Sequence, residues 1–446
     1  HARVYALRSR QLQSPLSDLP VPTELPPNTT APFRADLPPL IVYRVYYDNR
    51  TSKGAVRVLT LSQCVRTNDI NWRLWLLADG DSLGKARRPL KAMTTENVAC
   101  PWPYAPHCRW NAWLFETGEV EKPPGGQVTL QWGGRLLTLP LHETPPLEDS
   151  LQVCVASLYW YNDWPRLILF VELWRVQASK IVIYVNSITD AVRVVLDYYV
   201  ASGVVEVLHW PMFPLTADED PNKSVYRLSH SLSHNDCSMR ATSKFVALVD
   251  IDEYFHVRTN GTLLDYLRRT LAKNPHAGAF YFKHYGLMFK DNKLDGDDFS
   301  GIEGATVKTV SRTGKSVFMP ARTHRASTHW ASKHVTNYSA VTINETDALY
   351  LHYRVDYIGM SVGKEVPLGA DSPFNASLIA ATQREKRAIF GEETPHFAAN
   401  VSVYLNACMK DWTKTCKVPA ACHDQLLPLD DWLFVDGTPS SHFTLL

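Results

Sequence analysis

At 446 residues the chain is long enough for two or three domains, and at 45% hydrophobic and 20% charged it has ordinary globular composition. Its 46 basic and 45 acidic residues leave a formal net charge of +1 with no basic block, which argues against nucleic acid or an anionic membrane surface as the main partner. No stretch reaches the roughly 18 apolar residues of a membrane span, so a soluble polypeptide is expected. Its opening on His1 rather than Met suggests a segment upstream.

Two features point to the secretory pathway. N-x-Ser/Thr sequons begin at Asn28, Asn49, Asn222, Asn260, Asn337, Asn344, Asn375 and Asn400. The eight cysteines form no CxxC, so disulfides are expected rather than a zinc site. Proximity suggests Cys100 with Cys108, and one pair among Cys408, Cys416 and Cys422.

Residues 1–38 are proline-rich without an apolar period and read as an extended, glycosylated stalk. Residues 39–148 read as β structure. "IVYRVYY" and "AVRVLTL" flank a polar, glycine-containing turn, and "QVTLQWGGRLLTLPL" alternates into and out of Gly133-Gly134. We expect a small β-sandwich-like domain here, with its Trp and Tyr residues in the core.

Residues 149–356 change texture. "LQVCVASLYW" is an apolar strand, and "NDWPRLILFVELWRVQ" is a helix with Pro165 in its first turn and Leu167, Phe170, Val171 and Trp174 on one face. "KIVIYVNS", "AVRVVLDYYVASG" and "VVEVLHW" continue as strand, helix and strand, and "SVYRLSHSLSHNDCSMRATS" is the next helix. Continuous apolar strands alternating with helices predict an α/β fold with a parallel sheet covered on both faces. Neither GxGxxG nor GxxxxGK[ST] is present. Residues 357–446 hold three cysteines and read as an extension packed back on the domain before it.

The stretch "FVALVDIDEYF" drives an apolar strand into Asp250, Asp252 and Glu253. Residues two apart on a strand project to one side, so the two aspartates are expected to point together at a strand's carboxyl end, where α/β sheets bind ligands. Hard oxygen ligands in that place suit Mn²⁺ or Mg²⁺, and the cation would offset the carboxylates' repulsion. A DxD triplet is common in surface turns; its position at the rim of a buried strand sets this one apart.

"NDCSMRATSKFVALVDIDEYF", the earlier "CVASLYWYNDWPRLILFVELWRVQASKIVIYVNS" and the later "LHYR" together resemble glycosyltransferase family 92, which includes animal galactosyltransferases and plant β-1,4-galactan synthases. The resemblance covers about residues 150–356. It implies a GT-A-type nucleotide-sugar-binding sheet and inverting transfer from UDP-galactose with formation of a β-1,4 linkage. It further implies Asp250, Asp252 and His352 as ligands of Mn²⁺. Lys315 and Arg354, with Arg240 or Lys244, would meet the charge of the donor diphosphate. Inversion needs one carboxylate to take the acceptor's proton, and the acid-rich stretch "KDNKLDGDDFSGIEG" offers Asp297, Asp298 and Glu303. His329 and Trp330 in "THWASKH" are candidates for the acceptor side, His329 also competing with His352 as a ligand.

The partners so implied are UDP-galactose and a glycan on a glycoprotein, its accepting sugar fucose or galactose. The setting implied is the Golgi lumen, with an upstream type II membrane anchor and a possible homodimer. A glycoside hydrolase fits poorly, since aspartates one residue apart are too close for the wide inverting geometry. A lectin on the same scaffold is the alternative, and an eroded metal set would mark it.

Overall fold

Strands that alternate apolar and polar residues bury one face, and here they do so by closing on themselves. The computed structural model describes residues 37–50, 54–77, 87–96, 100–101, 105, 107–217, 219–290, 294, 298–310, 313–354, 363–369, 371–396, 398, 401–408, 416, 418, 422–435 and 442–446. The stalk expected at 1–38 therefore lies almost wholly outside the described residues. Leu40–Asp48 and Ala55–Gln63 form the first antiparallel hairpin, and Gln127–Trp132 and Arg135–Glu143 the second. Gly133, in the two-residue turn of the second, takes a φ of 60°, a left-handed conformation natural to glycine.

These strands belong to one nine-stranded sheet. Arg87–Pro89 pairs with Leu74–Leu77 at one end of it, and Lys91–Thr94 pairs with Trp110–Glu116 at the other. One continuous stretch thus joins both ends, and Leu90 at its middle donates its amide to Leu74 O at 2.8 Å. Phe115 and Trp132 sit on strands far apart in the sheet order, yet their ring centroids are 6.0 Å apart across the interior. The expected β-sandwich is corrected to a barrel-like ring, because closure buries the inner face and removes the free edges together.

The outer face of the ring carries Tyr43, Tyr46, Leu59 and Leu61, which pack on a second sheet through Val182, Tyr184, Trp210, Val246 and Leu248. That sheet has seven strands in the order Val205–His209, Lys180–Val185, Glu148–Leu158, Ser243–Val249, Lys315–Phe318, Ala277–Phe282, Ser339–Thr342. Its first four are parallel, and Lys315–Phe318 runs antiparallel to both neighbours. Alternate strand residues face the ring on one side and the helices Trp164–Arg175, Asp190–Ala201 and Leu263–Lys273 on the other. Burial on both faces accounts for the unbroken apolar runs. Asp163 caps Trp164–Arg175 by accepting from Arg166 N at 3.1 Å. The helix is buried nearly all round rather than along one stripe, because Ala376–Phe390 and the chain after it cover its second side, with Trp164 on Phe390 at 5.0 Å.

A five-stranded sheet, Glu253–Val257, Ala348–Tyr353, His284–Met288, Thr306–Thr309 and Glu365–Pro367, continues from the end of Ser243–Val249. The chain's last part reaches back. Trp432–Phe434 pairs with Ser187–Thr189, and Thr444–Leu445 pairs with Leu40–Asp48. All eight cysteines are bridged: Cys64–Cys100, Cys108–Cys416, Cys154–Cys237 and Cys408–Cys422. The expected Cys100–Cys108 pair is thus wrong, since Cys100 meets the end of the second ring strand while Cys108 meets the C-terminal segment. A pair among the last three cysteines is present. No helix among the described residues is long and apolar enough to cross a membrane.

Among the described sequons Asn222 differs in being buried with its amide engaged. Its Nδ2 donates to Phe213 O at 2.9 Å and Asp220 Oδ1 at 2.8 Å, and its Oδ1 accepts from Phe213 N at 2.8 Å. A glycan on Nδ2 would displace those bonds, whereas Asn260 and Asn337 are exposed. Peptide mapping of protein secreted by eukaryotic cells is expected to find Asn222 unmodified, and Asn222→Ala to lower unfolding stability by about 1–3 kcal/mol; an occupied Asn222 would contradict this packing.

Candidate active site

The parallel strand Ser243–Val249 ends one residue before the acids. Asp250, Ile251 and Asp252 form a tight turn, closed by Glu253 N donating to Asp250 O at 3.1 Å, and the chain leaves along Glu253–Val257. The acids therefore sit at the junction of the seven- and five-stranded sheets. They come together through a turn, not through the strand pleat that the sequence suggests.

Glu253 organises the turn from beneath. It is buried, and its carboxylate accepts the Asp250 amide at 2.7 Å and the Tyr350 hydroxyl, and lies 2.9 Å from Lys315 Nζ. Lys315 is buried too, with Nζ 3.6 Å from Asp250 Oδ2. Burial pushes the Lys315 ammonium towards neutrality, but Asp250 and then Glu253 outweigh it and raise its pKa. Burial works likewise against the Asp250 carboxylate, yet Lys315 above all holds its pKa below the ordinary carboxylate range. Glu253 has its pKa raised, by burial and then by the Asp250 charge. The expected assignment of Lys315 to the donor gives way to another role: its ammonium is engaged by Glu253 and Asp250 as the fixed counter-charge of the acid turn.

The next strand supplies the imidazole. Ala348–Tyr353 pairs with Glu253–Val257 so that His352 is opposite Glu253, and Tyr353 N donates to Asp252 O at 3.0 Å. His352 Nε2 comes within 3.3 Å of Asp252 Oδ1, while its Nδ1 lies 3.3 Å from the Tyr350 hydroxyl and the His284 ring stacks on it at 5.4 Å. Burial lowers the His352 pKa, but the charge and hydrogen bond of Asp252 reverse this and raise it. Arg166, one turn into the first helix, reaches Asp252 Oδ2 at 3.8 Å and Asp163 at 3.0 Å, and lies over the Tyr353 ring. Sequence reasoning missed it; the signal was its place just after the first strand of the sheet, at the ligand-binding end.

The opposite wall starts with three consecutive left-handed residues, Arg227, Leu228 and Ser229, at φ of 44°, 54° and 58°. They lead into the helix His230–Arg240, which sets His230 and His234 within electrostatic reach of Asp250 and Lys315. Burial, then Lys315, drives the His234 pKa well below its ordinary value. His230 falls to about 4 through burial, against the opposing charge of Asp250. His329 joins this side, its Nε2 3.3 Å from Arg227 Nη1 and its pKa lowered to about 3 by burial and Lys315. Trp330 beside it is 39% exposed. The ring contributes here as well: Glu96 accepts the Thr328 hydroxyl, and the Thr95 and Ser231 hydroxyls are 2.7 Å apart.

The remaining expectations divide. Arg354 follows directly on Tyr353, at the strand end that meets Asp252. Arg240 and Lys244 are corrected. Arg240 binds Glu206 at 2.9 Å and Lys244 binds Asp149 at 3.4 Å, at the far end of Ser243–Val249. At about 3.3 Å per residue that places them roughly 20 Å from the acid turn. The Asp298 carboxylate is exposed and accepts Ser300 N at 2.9 Å, while its carbonyl accepts from Gln383. Glu303 is exposed, its amide bonded to Ser300 O. Neither touches the acid turn among the described residues, and Asp297 lies outside them.

Among the described residues no three His, Cys, Asp or Glu side chains converge as a ready metal seat. Two do meet: the 3.3 Å between Asp252 Oδ1 and His352 Nε2 is close to the roughly 3 Å edge between adjacent octahedral ligands at 2.0–2.1 Å from a metal. Asp250, its side chain 37% exposed, stands beside them. Carboxylate oxygen and imidazole nitrogen suit Mn²⁺, and phosphate oxygens and water commonly complete such a shell. The donor set fits.

The sequence model of glycosyltransferase family 92 matches residues 149–387, from the first strand of the seven-stranded sheet into the helix Ala376–Phe390. The crystal structure of S. aureus TarS 1-349 is similar over 63% of this chain and 83% of that one, at 12% identity and a TM-score of 0.25. That value is too low to bear on the arrangement or the activity. No curated protein matches the sequence.

Removing one partner of a buried charge pair strands the other. Glu253→Ala is expected to cost about 3–5 kcal/mol in urea unfolding, and Glu253→Gln combined with Lys315→Met to cost less than the sum of the two single changes. Additive losses would mean that the two groups do not support one another.

Proposed function

This chain belongs to glycosyltransferase family 92, and we propose that it is an inverting, metal-dependent galactosyltransferase transferring galactose from UDP-galactose to an acceptor sugar in β-1,4 linkage. The observation that carries the reading is the acid turn at the carboxyl end of a parallel strand, with Asp252 and His352 side by side. Four parallel strands with an antiparallel one beyond the acid turn support a GT-A-type sheet.

Asp252 and His352 would hold Mn²⁺, with Asp250 beside them. When bound, the ion supplies positive charge against the donor diphosphate and eases the departure of UDP. Arg166 and Arg354 stand at the same edge, and a guanidinium fork matches phosphate oxygens. Lys315 keeps Asp250 ionised from below, so the edge remains anionic towards a cation without the turn flying apart.

On the acceptor side, the exposed indole of Trp330 offers an apolar face to a sugar ring, with His329 next to it. One carboxylate accepts the acceptor hydroxyl's proton as that oxygen attacks the anomeric carbon. Asp297, Asp298 and Glu303 are the candidates for that carboxylate. The accepting sugar is fucose or galactose on a glycoprotein glycan. We place the enzyme in the Golgi lumen, which suits four disulfides and repeated sequons.

A donor screen tests this. Purified protein with Mn²⁺ is expected to release UDP from UDP-galactose in preference to other UDP- and GDP-sugars. EDTA should abolish the release, and Asp252→Ala and His352→Ala should each lower it by about 100-fold or more. Preference for another sugar nucleotide, or indifference to EDTA, would refute the galactose or the metal part respectively.

A further inference from the structure

Four buried polar atoms at the start of the helix His230–Arg240 have no hydrogen-bond partner among the described residues: Ser229 Oγ, His230 Nε2, and both ring nitrogens of His234. Buried polar groups are nearly always satisfied, and each orphan is costly. His234 is completely buried and Ser229 nearly so. A cluster of this kind beside the acid turn is a sign of a ligand, or of water that a ligand displaces.

The backbone points the same way. Arg227, Leu228 and Ser229 all hold left-handed φ values without being glycine, a disfavoured conformation for each. Ser229 is the N-cap residue, yet its hydroxyl caps nothing. The strain carries the helix start towards Asp250 and leaves that hydroxyl unspent.

We propose that Ser229, His230 and His234 form the subsite for the hexosyl ring of the donor, reading its hydroxyls from the wall facing the acid turn. This rests on the nucleotide-sugar reading above and adds which residues recognise the sugar. The chemistry selects a neutral polyol over a phosphate. Burial keeps both imidazoles uncharged, and a neutral imidazole offers one donor and one acceptor, as a sugar hydroxyl does. The guanidinium of Arg166, suited to phosphate, stands instead beside Asp252.

The test is calorimetric titration of UDP and of UDP-galactose, both with Mn²⁺, into the wild-type chain and into His234→Phe. Phenylalanine fills similar space and removes two orphaned polar atoms, so the variant is expected to unfold at the same temperature as wild type or higher. Its UDP affinity should change less than about twofold, and its UDP-galactose affinity should fall about tenfold, towards that of UDP. His230→Ala, at the half-buried rim, should show the same split more weakly. Unchanged UDP-galactose binding overturns the subsite, as does an equal loss for both ligands. A wild type that binds UDP well but gains nothing from the sugar overturns the subsite alone. A wild type that binds neither overturns the subsite together with the donor-site reading.

Discussion

The buried ammonium of Lys315 is the constraint on which the site depends, because three acids within four residues cannot share a turn unless a positive charge is fixed among them. It arrives from a strand far along the chain. Lys315–Phe318 pairs antiparallel with Ser243–Val249, Ala247 opposite Val317, so its first residue falls level with the strand's end and the start of the acid turn. The ammonium then faces the Glu253 and Asp250 carboxylates. Glu253 takes the closer contact and accepts the Asp250 amide, which leaves the Asp250 and Asp252 carboxylates directed to the open side. A cation bound there would add to a charge balance that the protein has already made tolerable.

A second buried charge joins the ring to the catalytic sheet. The Asp236 carboxylate, completely buried, accepts the hydroxyls of Tyr46 at 2.5 Å and Tyr184 at 2.6 Å, one from each sheet. Burial and then the Asp236 charge push the pKa of both phenols far up, so both remain protonated donors. This contact lies on the same helix as His230 and His234, which ties the ring's position to that of the site wall. The ring reaches the site directly as well: Arg325 donates to Thr94 O at 2.7 Å, and Glu96 holds Thr328 next to His329 and Trp330. A shift of the ring would move the wall that carries the candidate acceptor residues.

Much of this was legible in the sequence, and the rest fails for identifiable reasons. Unbroken apolar strands, Pro165 at a helix start and the Gly133 turn depend on neighbours a few residues away, and each stands as read. Asp252 and His352 stand side by side, as the family resemblance implied. The ring was misread because closure depends on one stretch, 87–94, pairing with strands at opposite ends of a sheet, which no local pattern encodes. Arg240 and Lys244 were chosen by charge without regard to strand polarity, although Lys244 begins the strand whose other end bears the acids. His230 and His234 drew no notice because their helix, rich in Ser, Asn and His, carries no recognisable spacing, and only the folded chain leaves their nitrogens buried without partners.

The central claim, that the edge formed by Asp252 and His352 seats a metal ion for a sugar nucleotide, is tested most directly by anomalous scattering from crystals soaked with Mn²⁺ and UDP. The account predicts one strong manganese peak within bonding distance of both Asp252 Oδ1 and His352 Nε2, with the diphosphate on its far side towards Arg166 and Arg354. A manganese peak elsewhere, or UDP bound at the acid turn without any, would contradict it.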